Sequence, residues 1–293
     1  MRAFGTLWTA SSLSSLGDGV TRAAGPLLAA ALTRDPVLVA GLTVAEQLPW
    51  ALSALPSGVL VDRFDRRWLL TSASLVRVLA LGLLAVVVAL GRPGLPVLYA
   101  ASLLAGCAGV LYENASITVL PLLVERGRLE HANGRMLATR TVGQTLLGPP
   151  LAGVLFTLAL WAPFALDAAA FVLVAALCLT LTVPRVDTGP RTTLRAAVAQ
   201  GVRWLAAHRL LRTLAFTVAV SNVALSAAFS IMVLAVQERL GVGPVGYGLL
   251  LSCVAVGGVL GALITPRITA LIGPATALRA GLVVEALVHL GWH

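Results

Sequence analysis

The sequence predicts an all-α polytopic membrane protein, and three observations carry that reading. Of its 293 residues, 58% are hydrophobic and only 11% are charged, with a mean hydropathy of +0.94. No soluble globular class has that composition. Apolar stretches of about 20 residues, enough to cross a ~30 Å hydrocarbon core as helix, recur along the chain. The basic residues gather in the short connectors between these stretches. That placement makes a sequence pI of about 11.1 an orientation signal, and no nucleic-acid partner is expected.

Membrane-length helices are expected near 6–32, 37–61, 68–90, 95–120, 138–160, 163–183, 211–237 and 245–266, with a ninth beginning near 275. The first and second are parted at Arg34-Asp35-Pro36, the second and third at Asp62–Arg67, and the third and fourth around Arg92. Pro121 closes the fourth, and arginines at 126, 128, 135 and 140 lead into the fifth. Fifth and sixth are joined by a few residues, whereas 184–210 holds five arginines, with Arg212 just beyond, and separates six helices from the rest. Arg239 marks the seventh–eighth connection, and Arg267 and Arg279 flank the last. Domains are therefore expected at 1–183, 184–210 and 211–293.

All 21 basic residues are arginine. An N-terminus inside puts Arg2, Arg63, Arg66, Arg67, the arginines of 126–140 and 185–212, Arg267 and Arg279 in the cytoplasm, sixteen against Arg34, Arg92 and Arg239 outside. The bias favours a multi-pass protein of the cell inner (plasma) membrane with a cytoplasmic N-terminus. In the long inner loop Leu194, Ala197, Val198, Gly201, Val202 and Leu205 recur at helical spacing opposite Arg195 and Arg203. This predicts an amphipathic helix on the inner surface, with Trp204 at headgroup level.

Several classes are disfavoured. Cys107, Cys178 and Cys253 fall in apolar segments without metal or redox spacing, as small core residues do. No GxxxxGK[ST] loop is present, so the chain carries no ATPase signature. The four scattered histidines form no nucleophile–base or metal-ligand set, so an enzyme, a metal site and a cofactor are not expected. The first apolar segment is too long for a signal peptide and contains Asp18 and Arg22, so it is expected to be a retained span.

The chain echoes itself. Arg209–Phe216 resembles Arg2–Thr9 at an offset of 207, and Gly261–Arg267 resembles Gly58–Arg63 at an offset of 203. A parallel repeat of six-helix units is how many secondary transporters are built.

Charges at bilayer depth need a purpose. By helical rise Asp18 lies about 18 Å along the first helix, Arg77 about 14 Å along the third and Glu46 about 14 Å along the second. Each isolated charge there costs about 2.5–3.5 kcal/mol. Asp18 and Arg22, four apart, share a helix face and form one expected pair. Asp18 or Glu46 as a proton-responsive carboxylate is the functional reading; a static ion pair that fixes packing is the structural one. Asp167, near the outer end of the sixth helix, is expected to face headgroups or water.

The stretch Gly58-Val59-Leu60-Val61-Asp62-Arg63-Phe64-Asp65-Arg66-Arg67 is similar at every defining position to the loop 2–3 signature of the major facilitator superfamily. Gly143-Gln144-Thr145-Leu146-Leu147-Gly148-Pro149-Pro150-Leu151-Ala152-Gly153 resembles that family's glycine–proline signature in antiporters and efflux proteins. Gly17-Asp18, Asp35-Pro36, Pro121 and Ala132-Asn133-Gly134 resemble the siderophore-exporter and macrolide-efflux-like branch.

The resemblance implies a twelve-helix fold in two six-helix halves, here a complete first half and about two and a half helices of the second. The expectation is therefore a chain truncated in its ninth helix. It implies a conformational latch at Gly58, Asp62, Arg63, Arg66 and Arg67, where the alternative is a plain positive-inside anchor. It implies cavity-lining first and fourth helices, making Tyr112, Glu113 and Asn114, with Asn222 of the seventh, substrate-cavity candidates. Gly143, Gly148, Pro149 and Gly153 are expected to bend and pack the fifth helix closely. Asp18, Arg22 and Glu46 are the proton-coupling candidates.

The expected function is proton-coupled efflux of a small or medium amphipathic compound, with the lipid bilayer, a small-molecule substrate and protons as partners and no obligate protein partner implied. The alternatives are a truncated non-transporting remnant or fragment of a longer exporter, and an uptake carrier of the same superfamily. In a cysteine-free background, R128C is expected to react with a membrane-impermeant maleimide only in inverted vesicles and R92C only in right-side-out vesicles. The opposite pattern reverses the orientation.

Overall fold

The computed structural model describes residues 2–183, 203 and 206–290. Nine long helices run through the described residues: α1 (Arg2–Leu32), α2 (Pro36–Arg63), α3 (Arg66–Ala89), α4 (Leu95–Leu123), α5 (Leu129–Leu158), α6 (Ala162–Thr180), α7 (Arg209–Arg239), α8 (Pro244–Ile272) and α9 (Pro274–Leu290). No strand occurs among them. The spans expected from sequence are all present as helices, the fifth beginning earlier, at Leu129. The amphipathic helix expected over 194–205 falls almost wholly outside the described residues.

The helix ends follow local chemistry. Asp35 accepts from the Val37 amide at 2.8 Å and Pro36 occupies the first turn of α2, where its missing N–H is harmless. Asp65 accepts from the Arg67 amide at 2.9 Å and caps α3. Five described helices have the length and apolarity to cross a bilayer: α3 to α6 and the Pro244–Gly261 part of α8. α1 is as long, with Asp18, Arg22 and a Ser- and Gly-rich middle lowering its apolarity. The chain is a multi-pass membrane protein by this architecture.

The bundle has an arginine-rich end, carrying the α2–α3 and α4–α5 connections, and an arginine-poor end, carrying Arg34, Arg92 and Arg239. α1 lies at the centre of the first half, packed on α2, α4, α5 and α6, while α3 packs on α4 and α6. Two apolar cores result. One includes Leu28, Leu42, Leu84, Leu98 and Phe164 from the first half and Val233, Leu234 and Tyr247 from α7 and α8. The other, toward the arginine-rich end, is built from first-half residues alone, among them Leu7, Leu70, Val119 and Phe171.

The halves therefore join at the arginine-poor end. There Arg34 faces Glu238 at 3.6 Å, and α8 crosses α5. Toward the arginine-rich end Val259, Leu260, Ile264 and Leu271 of α8 are exposed.

The α5–α8 crossing depends on the paired prolines. Pro149 and Pro150 carry no N–H, so the carbonyls of Thr145 and Leu146 lose their intrahelical donors. Residues Val142–Leu147 answer with a π-turn, in which the Gly148 amide reaches the Gly143 carbonyl. The sequence-level expectation of a bend takes this particular form, a wider helical turn. The freed Leu146 carbonyl accepts the Ser252 hydroxyl of α8 at 2.8 Å. A Cβ on Gly153 would strike the Pro244 backbone, and one on Gly248 the Pro149 backbone. On the other side of α5, a Cβ on Gly19 would lie 2.7 Å from the Gly143 and Gln144 carbonyls.

S252A is expected to weaken the folded chain by about 0.6 kcal/mol, within the ~1.7 kcal/mol ceiling for hydrogen bonds between membrane helices. G19V is expected to cost more, about 1–3 kcal/mol, because backbone cannot give way as a side chain does. Unfolding curves in mild detergent check the order; S252A as damaging as G19V contradicts it.

Candidate functional site

Between the two apolar cores lies a polar chain that no single helix could assemble. Arg77 of α3, with a side chain only 7% exposed, pairs with Asp18 of α1. Its second terminal nitrogen lies 3.6 Å from Oδ2 of Asp167 on α6, a residue with no exposed surface. The Thr21 hydroxyl donates to the same Oδ2. On the other side of Asp18, Gln144 Nε2 donates to Oδ2 at 3.1 Å. Arg140 Nε in turn donates to Gln144 Oε1 at 3.3 Å, and its guanidinium makes a two-pronged pair with Glu113 of α4. Glu113, Arg140, Gln144, Asp18, Arg77, Asp167 and Thr21 thus form one connected series of charged and hydrogen-bonded groups.

Each member is positioned by backbone features near it. Gly17 precedes Asp18, and a Cβ there would overlap the Asp167 carboxylate, so the glycine admits α6 against α1. Gly109 of α4 lies beside the Arg77 guanidinium, where an added Cβ would make an ordinary 3.5 Å contact with a nitrogen. The Arg77 guanidinium lies 4.0 Å over the Phe171 ring, a cation–π contact that favours the charge in a desolvated place. Gln144 stands in the π-turn of α5, so the proline-driven widening of that helix is also what presents the amide to Asp18.

A cavity of about 110 Å³ opens beside this series, lined by Asp18, Arg22, Glu46, Arg77, Glu113 and Gln144 among others. At a water's ~30 Å³ share of liquid volume, that is room for about three or four waters. Arg22 is Glu46's electrostatic partner across it, and a Cβ on Gly25 would lie 2.9 Å from Glu46 Oε1.

The site differs in several places from the sequence expectation. Asp18 pairs with Arg77 and not with Arg22: sharing a helix face put Arg22 nearby, but α3 brings a guanidinium directly onto the carboxylate. Asp167 does not face headgroups or water; Gly17 and Thr21 let α1 close over it. Tyr112 turns away from the cavity, 5% exposed, with its ring edge-on to Phe171 at 6.4 Å. Glu113, the next residue, lines the cavity, since neighbours on a helix point about 100° apart. Asn114 is half-buried outside the lining, and the side chain of Asn222 lies outside the described residues. Arg77, Arg140 and Gln144 were not assigned site roles from sequence; an arginine eleven residues into a membrane-length helix was the available signal for the first.

In the 58–67 stretch, the side chains of Gly58, Asp62 and Arg63 lie outside the described residues. Arg66 and Arg67 are half-buried, and their Nε atoms find no acceptor among the described residues. Asp65, not among the expected latch residues, caps α3.

A family model described as transmembrane secretion effector, an MFS group, matches residues 1–292. The chain belongs to that family. Two curated relatives are uncharacterized MFS-type transporters, one of Mycobacterium bovis and one of Mycobacterium tuberculosis. Each is 31% identical over 139 residues, which is 45% of this chain and 31% of the relative. The chain thus spans about a third of the length of the relatives it matches.

Among solved structures, a bacterial homologue of the human lysosomal transporter Spinster, inward-facing and unoccupied, superposes with a TM-score of 0.70 at 16% identity. The match covers 91% of this chain and 63% of that one. A bacterial homologue of the iron transporter ferroportin, inward-facing, gives 0.68 at 16% identity, over 94% and 70%. These likenesses establish the fold of this transmembrane secretion effector family member as that of MFS transporters.

R77A is expected to destabilise the chain by about 3–5 kcal/mol, because two buried carboxylates lose their shared cation. Combining it with D167N should recover part of the loss. Thermal unfolding in detergent decides this; R77A unfolding like the parent chain contradicts the assigned pairing.

Proposed function

We propose that the chain forms the working core of a secondary active transporter that exports a small or medium amphipathic compound, drug- or siderophore-like, in exchange for protons. The observation that carries this reading is the connected series from Glu113 to Thr21. It holds two carboxylates on one buried arginine, and it borders a cavity sized for a few waters. Protonating one carboxylate releases part of Arg77's attraction and lets the other take it up, so proton arrival changes how α1, α3 and α6 hold together. Asp18 sits at the junction of the two arms, Glu46 with Arg22 stands across the water-sized cavity, and Glu113 is the substrate-side carboxylate, with Asn222 as a further contact.

The orientation in this proposal puts the sixteen-arginine end in the cytoplasm and the chain in the inner membrane. The contact of α5 with α8 would then close the outer side. Pro149 and Gly153 would form that seal, Gly143 and Gly148 holding α5 against α1 beside it, and the Gly58–Arg67 stretch would be a cytoplasmic latch in the opposite state. The Nε atoms of Arg66 and Arg67, buried without an acceptor among the described residues, support the latch, since a cytoplasmic closure would supply acceptors. One charge crossing 100 mV contributes about 2.3 kcal/mol, enough for roughly a fifty-fold concentration ratio.

Proteoliposomes with a trapped pH dye test the reading. Addition of a transported compound, drawn from a panel of antibiotics and chelators, is expected to trigger proton flux. D18N should abolish that flux, and Q144L, which interrupts the series, should slow it about tenfold, consistent with losing a hydrogen bond to a charge. Full flux in D18N removes Asp18 from the coupling. Accumulation of a labelled compound by cells only when they hold the protein replaces export by uptake.

A further inference from the structure

A second cavity among the described residues is larger than the one beside the buried ion pairs. It lies at the arginine-rich end, about 360 Å³, between the start of α1, the chain leaving α4 and the start of α5. That volume falls in the ~300–1,000 Å³ range of small-molecule sites. Its walls divide by chemistry. Phe4 and Trp8 of α1 form an aromatic side, while Arg128, His131 and Arg135 form a basic side with Glu125 at its edge. The two cavities share no lining residue, and Trp8 lies about 15 Å along the helix from Asp18, although Arg140 of the polar series directly follows Thr139, to which Trp8 is hydrogen-bonded.

The basic side is held ready. The Arg135 guanidinium lies 4.6 Å over the Trp8 ring and 5.7 Å from the Phe4 ring, and Trp8 is itself anchored by its Nε1 donating to Thr139 at 2.9 Å. Stacking engages the face of a guanidinium and leaves its N–H edge available. No ion pair within 4.0 Å engages Arg128, Arg135 or Glu125 among the described residues. Two arginines that no carboxylate pairs with among the described residues, one fixed on aromatic rings, suit an anion joined to an apolar tail. The anion takes the guanidinium edges in charge-assisted hydrogen bonds, and the tail covers Phe4 and Trp8.

We propose that this cavity is a binding site for an anionic amphiphile, a phosphate or carboxylate headgroup with a hydrocarbon chain. Such a molecule comes either from the adjoining bilayer leaflet or from the aqueous side as a free amphiphile. The test of this site does not depend on transport.

The chain, purified and delipidated in neutral detergent, is titrated with dodecyl phosphate and with inorganic phosphate, reading tryptophan fluorescence. Saturable binding of dodecyl phosphate is expected, at least tenfold weaker in R135Q, as loss of a charge-assisted hydrogen bond predicts, with inorganic phosphate much weaker in both. Equal binding by parent and R135Q, with equal thermal unfolding, overturns the site. R128Q, whose side chain makes no ring contact, replaces R135Q if that variant does not fold. Competition by phosphatidylglycerol but not by phosphatidylcholine supports the site with a lipid source. Indifference to both lipids supports it with a free amphiphile, and equal competition by both lipids overturns it.

Discussion

Arg77 is the constraint around which the first half is arranged. A guanidinium buried in a membrane-length helix is tolerable only with its charge answered. Asp18 and Asp167 answer it, the Phe171 ring covers it and Gly17 makes the room, while Arg77 Nε and Asp167 Oδ1 find no hydrogen-bond partner among the described residues. Because the three ionised groups sit on α1, α3 and α6, satisfying one arginine sets the mutual placement of three helices. On the far side of Asp18, α5 brings in Gln144.

The same economy links the charge network to the interface between the halves. Pro149 and Pro150 free backbone carbonyls on α5, and the helix widens into a π-turn just before them. One consequence faces inward, where Gln144 reaches Asp18. The other faces α8, where the Leu146 carbonyl takes the Ser252 hydroxyl. A change at Asp18 and a change at the α5–α8 crossing therefore act on one short stretch of backbone. Coupling between a carboxylate and a seal needs such a shared two-sided element, and here it spans only a few residues.

Much of the fold was legible in the sequence. The number of helices, their approximate limits and the capping role of Asp35-Pro36 rest on local composition, and a bilayer leaves helix as the accessible structure for such stretches. The first-half site was legible only in part. Asp18, Glu46 and Arg77 stood out because charge at bilayer depth is rare, Glu113 through the resemblance, and all four line one cavity. Which of them pair did not stand out. Arg22 looked like the mate of Asp18 because four-residue spacing puts the two on one face, yet proximity on one helix competes poorly with a guanidinium delivered across a helix–helix contact. Tyr112 and Glu113, adjacent in sequence, were read together, and the helical turn sent them to opposite surroundings.

What the sequence determined by itself is the class of the molecule and the inventory of its charges: helices long and apolar enough to span a bilayer, arginines sorted to connectors, and a few ionisable groups retained inside. Those follow from local hydrophobicity and from the cost of burying charge, which act on each segment alone. What only the tertiary structure decided is the pairing: that Arg77 serves two carboxylates, that Gly17 exists to admit Asp167, and that paired prolines place Gln144 on Asp18. Pairing depends on which helices cross, at what depth and with which small residues between them, and those distances are fixed only when all the helices pack together.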